Sequence, residues 1–231
     1  MISNVNTAKT VVVGNDDNTK METKNEVVIT GSVVRKKKMT DNVIALTIAV
    51  RVPGDDIVNY PQITFYGEDS VEKIDSLIVI SAEEKPRVTI YGMIQTRKKR
   101  YGDETRYFQS IIGKKLEFAR TQMEIMTGID GVGRHRATGV NSTCLIGPVV
   151  HKYDITRDNK RIGTILTLQT ITEGKMNNPK VTCFKNASTV ASRLEIGDMV
   201  CVTGYINTKE KRENGEYRKY ESVIGTELAV I

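Results

Sequence analysis

Residues 181–204 read VTCFKNASTVASRLEIGDMVCVTG, a stretch that passes from strand to short helix to turn to strand. Val181-Thr-Cys-Phe184 is β-branched and aromatic, the composition of a half-buried strand. Ala187, Val190, Ala191 and Leu194 recur at spacings of three and four, which predicts a helix over 187–194. Gly197-Asp198 supplies a turn. Val200, Val202 and Gly204 then fall on one face of the next strand. A glycine closing that face points to backbones in close approach inside a small barrel.

Working outward, the same pattern occurs once before. Asn25-x5-Gly31 matches Asn141-x5-Gly147, and Ile63-Thr-Phe-Tyr66 matches Val181-Thr-Cys-Phe184. Val88-x-Ile90-x-Gly92 matches Val200-x-Val202-x-Gly204, and Ser110-Ile-Ile-Gly113 matches Ser222-Val-Ile-Gly225. The drifting offset between copies places small insertions in connecting segments, where they are tolerated. In the earlier copy the helix is expected from Ser70 to about Leu77, with Val71, Ile74 and Leu77 on one face. Its Gly-Asp turn is replaced by the longer Ile78 to Arg87.

Each copy thus reads as five strands and one helix. The first two strands are expected at Val27–Val34 and Val43–Val52, and at Thr143–His151 and Gly163–Ile171. Lys36-Lys37-Lys38 and Asp158-Asn159-Lys160 fall in the turns between them. Charged hairpin loops, Arg97–Glu104 and Lys209–Glu216, precede a fifth strand. The fold class is therefore all-β, two tandem five-stranded OB-fold barrels with one short helix in each. The expected division is a flexible arm over 1–24 with a short strand at Val11–Val13, barrels over 25–118 and 141–231, and a glycine-rich linker over 119–140.

The 231 residues carry a net charge of +6, spread as 0, +2, +1 and +3 over those four segments. The excess suits a polyanionic partner and is not confined to a tail. No run of eighteen apolar residues and no signal peptide is read, so a cytoplasmic protein is expected. Cys144, Cys183 and Cys201 show no CxxC or Cys/His spacing, so they read as buried structural thiols, with no metal and no cofactor. His135 and His151 are the only histidines, and no G-x-S-x-G, H-E-x-x-H or P-loop occurs. Paired carboxylates such as Asp55-Asp56 and Glu83-Glu84 read as solvated loop charge. The expectation is a binding protein and not an enzyme.

Phe184, the 187–194 helix, Gly197-Asp198 and Val-x-Val-x-Gly204 together resemble the bacterial and phage type of single-stranded DNA-binding protein. The resemblance covers about ninety residues, 141–231, and the repeat extends it to the first copy. It implies coating of single-stranded DNA without strong sequence preference in replication, recombination or repair, in a bacterial cell or phage-infected host. It also implies that the aromatic ending the third strand stacks on a base: Phe184, and Tyr66 in the first copy. The family stacks bases on tryptophans, of which this chain has none, so tyrosines take that role here. Glu227–Ile231 reads as strand, so the family's acidic tail is not carried over. A two-barrel chain fits a monomer or a homodimer.

A single strand offers phosphates to cations and free base faces to aromatic rings. Candidate platforms, besides Tyr66 and Phe184, are Tyr101, Tyr107, Tyr153, Tyr205, Tyr217 and Tyr220. Alternation supports the first two: with Val181 and Cys183 inward, Phe184 points outward. Tyr205 is likewise out of phase with Val202 and Ile206, and Tyr217 and Tyr220 flank Arg218-Lys219. Candidate phosphate contacts are Arg35, Lys36, Lys37, Lys38, Arg97, Lys98, Lys99, Arg100, Lys185, Lys209, Lys211, Arg212 and Arg218. Two other readings stay open: an OB-fold protein–protein interaction module of a replisome or primosome, with replication or recombination proteins as partners, and a single-stranded RNA binder.

Overall fold

The computed structural model describes residues 22–51, 57–81, 85–102, 104–119, 125–127, 133–135, 139–213 and 215–231. In the first copy the elements are β1 (Lys24–Thr40), β2 (Val43–Arg51), β3 (Val58–Asn59), β4 (Gln62–Tyr66), α1 (Glu68–Leu77), β5 (Arg87–Tyr101) and β6 (Glu104–Phe118). A small hairpin follows, β7 (Ile125–Thr127) with β8 (Gly133–His135), inside the segment read as a linker. The second copy contains β9 (Asn141–Arg157), β10 (Lys160–Leu168), β11 (Thr170–Thr172), β12 (Lys175–Asn177) and β13 (Lys180–Phe184). It ends with α2 (Lys185–Arg193), β14 (Met199–Glu213) and β15 (Glu216–Val230). The expected strand at Val11–Val13 lies outside the described residues.

In each copy the strands close on themselves. β1 pairs with β2, β2 with β4, β4 in parallel with β6, β6 with β5, and β5 back with β1. The second copy repeats the circuit as β9, β10, β13, β15 and β14, again closed by one parallel pair. This is the five-stranded OB-fold barrel, twice. Alternation fills each interior: Ile29, Leu46, Ile63 and Ile90 in one barrel, and Leu145, Leu166, Val181 and Val202 in the other, are fully buried or nearly so. Gly92 and Gly204 sit at bulges in β5 and β14. A Cβ there would run into the carbonyl oxygens of Ile112 and Ile224, the close approach the sequence indicated.

Five expectations need correction. The ribbons β5–β6 and β14–β15 stay paired out to Tyr101 opposite Glu104 and Glu213 opposite Glu216, so the described residues of both expected hairpin loops are mostly strand. Their β-branched and aromatic cross-strand partners support pairing well outside the barrel. Similarly, Lys36–Lys38 belong to β1, opposite Leu46, Ala45 and Ile44, and the turn falls at Asp41-Asn42. The inner stripe of α1 is Val71 and Ile74, continued by Ile78 at its C-cap; Leu77 is exposed, because 78 and not 77 returns to the angle of 71 at 100° per residue. Val190 is partly exposed at the edge of its stripe, while Ser188 is buried and bonded to Thr164. Finally, only Cys183 is fully buried, and burial pushes its thiol up to about 12. Cys144 and Cys201 are half-buried because alternation puts them on the outer faces of β9 and β14.

The barrels join edge to edge. β1 pairs antiparallel with β9, and Val27 meets its repeat equivalent Thr143, so a pseudo-two-fold axis passes between them. Bonds across the axis come in matched pairs. The Thr208 N–H donates to Asn59 Oδ1 at 2.7 Å, and the Thr96 N–H to Asn177 Oδ1 at 3.0 Å. Tyr60 N–H donates to Thr208 Oγ1 and Asn178 N–H to Thr96 Oγ1, at 2.9 and 2.8 Å. Gln62 N–H donates to Glu221 and Lys180 N–H to Gln109. Buried Asn59 and Asn177 thus clasp the opposite barrel, an arrangement a symmetric dimer would use, built into one chain.

One of these pairs carries a titratable group. Burial holds the Glu221 carboxyl above the usual glutamate range, against the opposing pull of the Gln62 N–H and Lys219. The folded pKa exceeds the unfolded value, so folding favours the protonated acid. That contribution is full below the unfolded pKa and lost as pH rises through the folded one. Glu221→Gln copies Gln109 at the equivalent place and does not titrate. In urea denaturation, wild-type stability relative to this variant should fall as pH rises above the ordinary glutamate range, then level off. A difference independent of pH would contradict the assignment.

Candidate nucleic-acid interface

Tyr66 ends β4 and Phe184 ends β13, and the burial alternation of both strands turns them outward. Tyr66 is 43% exposed and Phe184 40%. Each ring is positioned on one side. The Phe184 ring lies against Gly163 on β10, where a Cβ would come within 3.0 Å of Cδ1 and Cε1. An aromatic covering a strand glycine in this way is held flat. Tyr66 accepts a hydrogen bond on its hydroxyl from Arg97 Nη2 at 3.0 Å, and the guanidinium carbon lies 5.6 Å from the ring centroid. Arg97 is itself steadied by Gln95 Oε1 at 2.9 Å from Nε.

The β5–β6 ribbon carries the densest alternation of rings and cations. Arg97 faces Phe108 across the ladder, Lys98 faces Tyr107, Lys99 faces Arg106, and Arg100 faces Thr105. Lys99 Nζ lies 5.0 Å and Arg106 Cζ 5.5 Å from the Tyr101 ring, and Phe108 sits 6.4 Å from Tyr101 at 60°. Tyr107 has Lys98 Nζ at 6.0 Å and Lys180 Nζ at 5.7 Å. Exposed cation–π contacts are worth about 0.5–1 kcal/mol, against about 1–3 kcal/mol for a stacked base. A base can therefore displace an ammonium from these rings, and the flexible lysine stem lets the charge follow the phosphate.

The β14–β15 ribbon is the weaker copy. Lys209 faces Tyr220, Lys211 faces Arg218 and Arg212 faces Tyr217, but Glu210 faces Lys219. Lys209, Lys211, Arg212 and Arg218 are exposed, as is Tyr220. The side chain of Tyr217 lies outside the described residues. Tyr205 is half-buried on β14, and Tyr153 is 56% exposed on β9.

The basic run on β1 divides. Arg35 and Lys37 are exposed. Lys36 instead turns to the end of α1, with Nζ 2.7 Å from both the Asp75 carboxylate and the Asp75 carbonyl. Its repeat equivalent Lys152 does the same for α2, donating to the carbonyls of Ser192 and Leu194 at 3.0 and 2.5 Å. Both lysines satisfy helix C-termini, so the ammonium of Lys36, read as a phosphate contact, is engaged here at the end of α1. Lys38 pairs with Asp41 at 3.1 Å. Sequence reasoning also missed Tyr91, 40% exposed beneath Lys115 at 5.6 Å. The phase argument used for Tyr205 would have found it, since Tyr91 lies between inward Ile90 and Gly92.

Lys185 follows Phe184 with φ +50°, where the first copy places Gly67 with φ +100°. A non-glycine residue there costs roughly 1–2 kcal/mol, and such strain often collects at functional sites. Lys185→Gly should therefore raise stability by up to about 1 kcal/mol in urea denaturation while weakening single-strand binding. A variant neither more stable nor weaker in binding would refute this account.

These observations define a class: a tandem of two OB-fold barrels whose third strands end in exposed aromatics and whose last two strands extend as ribbons rich in cations. The wild-type single-stranded DNA-binding protein of Thermus aquaticus has the same fold over 91% of this chain and 94% of its own, with TM-score 0.62 at 13% identity. A deletion variant of that protein aligns over 91% and 95%, with TM-score 0.64 at 14% identity. No family model and no curated protein matches the sequence. Among the described residues no helix is long and apolar enough to cross a membrane.

Proposed function

We propose that this chain binds single-stranded DNA without strong sequence preference, coating and protecting it during replication, recombination or repair. The observation that carries the reading is the pair Tyr66 and Phe184, equivalent in the repeat, outward-facing and half-exposed, Tyr66 beside Arg97 and Phe184 followed in the chain by Lys185. Bases stack on these rings, and Arg97–Arg100 with Lys185, Lys209 and Lys211 neutralise phosphates. Residues 25–118 and 141–231 act as the two binding units, joined through 119–140, in a monomer or homodimer in the cytoplasm. The protein works by binding and not by catalysis. The whole-chain likeness to the Thermus aquaticus fold supports the reading.

The test is fluorescence anisotropy of labelled oligo-dT against matched duplex and matched RNA across a salt series. Tight binding to the DNA strand and weak binding to duplex are expected, and the salt slope divided by about 0.7 counts the phosphates neutralised. Equal affinity for single strand and duplex would overturn the proposal. Preference for the RNA oligomer would move it to RNA.

A further inference from the structure

The pseudo-two-fold axis creates two seams, in each of which the third strand of one barrel abuts the ribbon of the other. At the first, Lys180 of β13 meets Tyr107 and Gln109 of the β5–β6 ribbon, and Lys98 lies near the same Tyr107 ring. At the second, Gln62 of β4 meets Glu221 of β15, and Glu210, Lys219 and Glu221 are the repeat equivalents of Lys98, Tyr107 and Gln109. Each seam is pinned by the same backbone N–H bond, from residue 180 to Gln109 and from residue 62 to Glu221. Their chemistry differs at every side chain. The first quartet has charge +2 and an aromatic ring; the second has charge −1 and no ring. In the second, Lys219 is also engaged by the Tyr60 carbonyl. In the first, Tyr107 is 60% exposed, with cations from two barrels within 6.0 Å of its centroid.

We propose that the first seam is a composite subsite for one nucleotide of a single strand, and that the strand passes between barrels there and not at the second seam. This rests on the single-strand reading above. The base stacks on Tyr107, displacing an exposed cation–π contact weaker than the stack. The adjoining phosphodiester lies between Lys98 of one barrel and Lys180 of the other. Lys180 thereby becomes a binding residue of the second copy that completes a site of the first. Seam two offers the same phosphate no free cation pair and sets the exposed Glu210 carboxylate where seam one has Lys98.

The test uses the full chain with labelled oligo-dT long enough to span both barrels, at several salt concentrations. Lys180→Gln places at seam one the residue already found at seam two and leaves the backbone N–H bond intact. It should weaken binding roughly threefold and lower the salt slope by about 0.7. Tyr107→Ala should weaken binding about tenfold, and the double variant should lose less than the product of the two. Lys73→Gln, an exposed charge on α1, should stay within about twofold of wild type. Wild type that binds the strand, with Lys180→Gln binding equally well or no worse than Lys73→Gln, overturns the subsite alone. Wild type that does not prefer the single strand overturns the underlying reading and the subsite with it.

Discussion

Tyr66→Ala combined with Phe184→Ala should abolish tight binding to oligo-dT while leaving both barrels folded. Each ring contributes roughly 1–3 kcal/mol if one base stacks on it. The rings belong to different barrels and share no partner, so the losses should add. Together they amount to at least about a thirtyfold drop in affinity. The folded state should tolerate the change, since both side chains are outward and 40–43% exposed. Phe184 also covers Gly163, so its truncation should lower stability more than that of Tyr66. Anisotropy titrations with circular dichroism melts separate the two effects. Binding that persists unchanged in a folded double variant would sink the assignment and leave only charge attraction by the ribbons. Retention of the salt slope alongside lost affinity is the signature expected, because stacking platforms carry no phosphate contacts.

The barrels were legible in the sequence because their information is local. Period-two alternation, a helix-spaced stripe and two glycines at close approaches are properties of short windows, and each recurs in the second copy. The orientation of Tyr66 and Phe184 followed from the same alternation. What lay out of reach was contact between distant segments. Nothing near Lys36 says that its ammonium caps a helix forty residues on, and Lys152 has the same hidden role. Asn59 and Asn177 look like ordinary turn residues until the opposite barrel supplies Thr208 and Thr96. The charged segments 97–104 and 209–216 read as loops because their composition is polar. Their pairing is set by the opposite strand, with each tip bending at a glycine of positive φ, Gly102 or Gly215. The asymmetry of the two seams is a further step removed. It requires both the repeat offsets, 112 for the ribbons and 118 for the third strands, and the edge pairing of β1 with β9.

Gly204→Ala should cost about 3 kcal/mol, a larger loss than its single added methyl suggests. Gly204 sits at the bulge where β14 bends around the barrel, opposite Gly225. Its new Cβ would collide with the Ile224 carbonyl oxygen, which is backbone held by the β15 ladder and cannot swing aside. Behind it, Gly225 is itself packed against Val181, Cys183 and Val202, so retreat in that direction meets the core. Overpacking of this kind costs about 1–3 kcal/mol, and a rigid backbone obstacle puts it at the upper end. For a chain of this size the melting temperature should fall by roughly 6–12 °C. Gly92→Ala should behave alike, because its Cβ meets the Ile112 carbonyl in the first barrel. The comparison that decides the cause is Gly174→Asn. Gly174 has φ +71° but open space around its Cβ, and asparagine tolerates that backbone, so its loss should stay below about 1 kcal/mol. Equal losses at 174 and 204 would show that lost backbone freedom, and not the close approach of strands, is what these glycines provide.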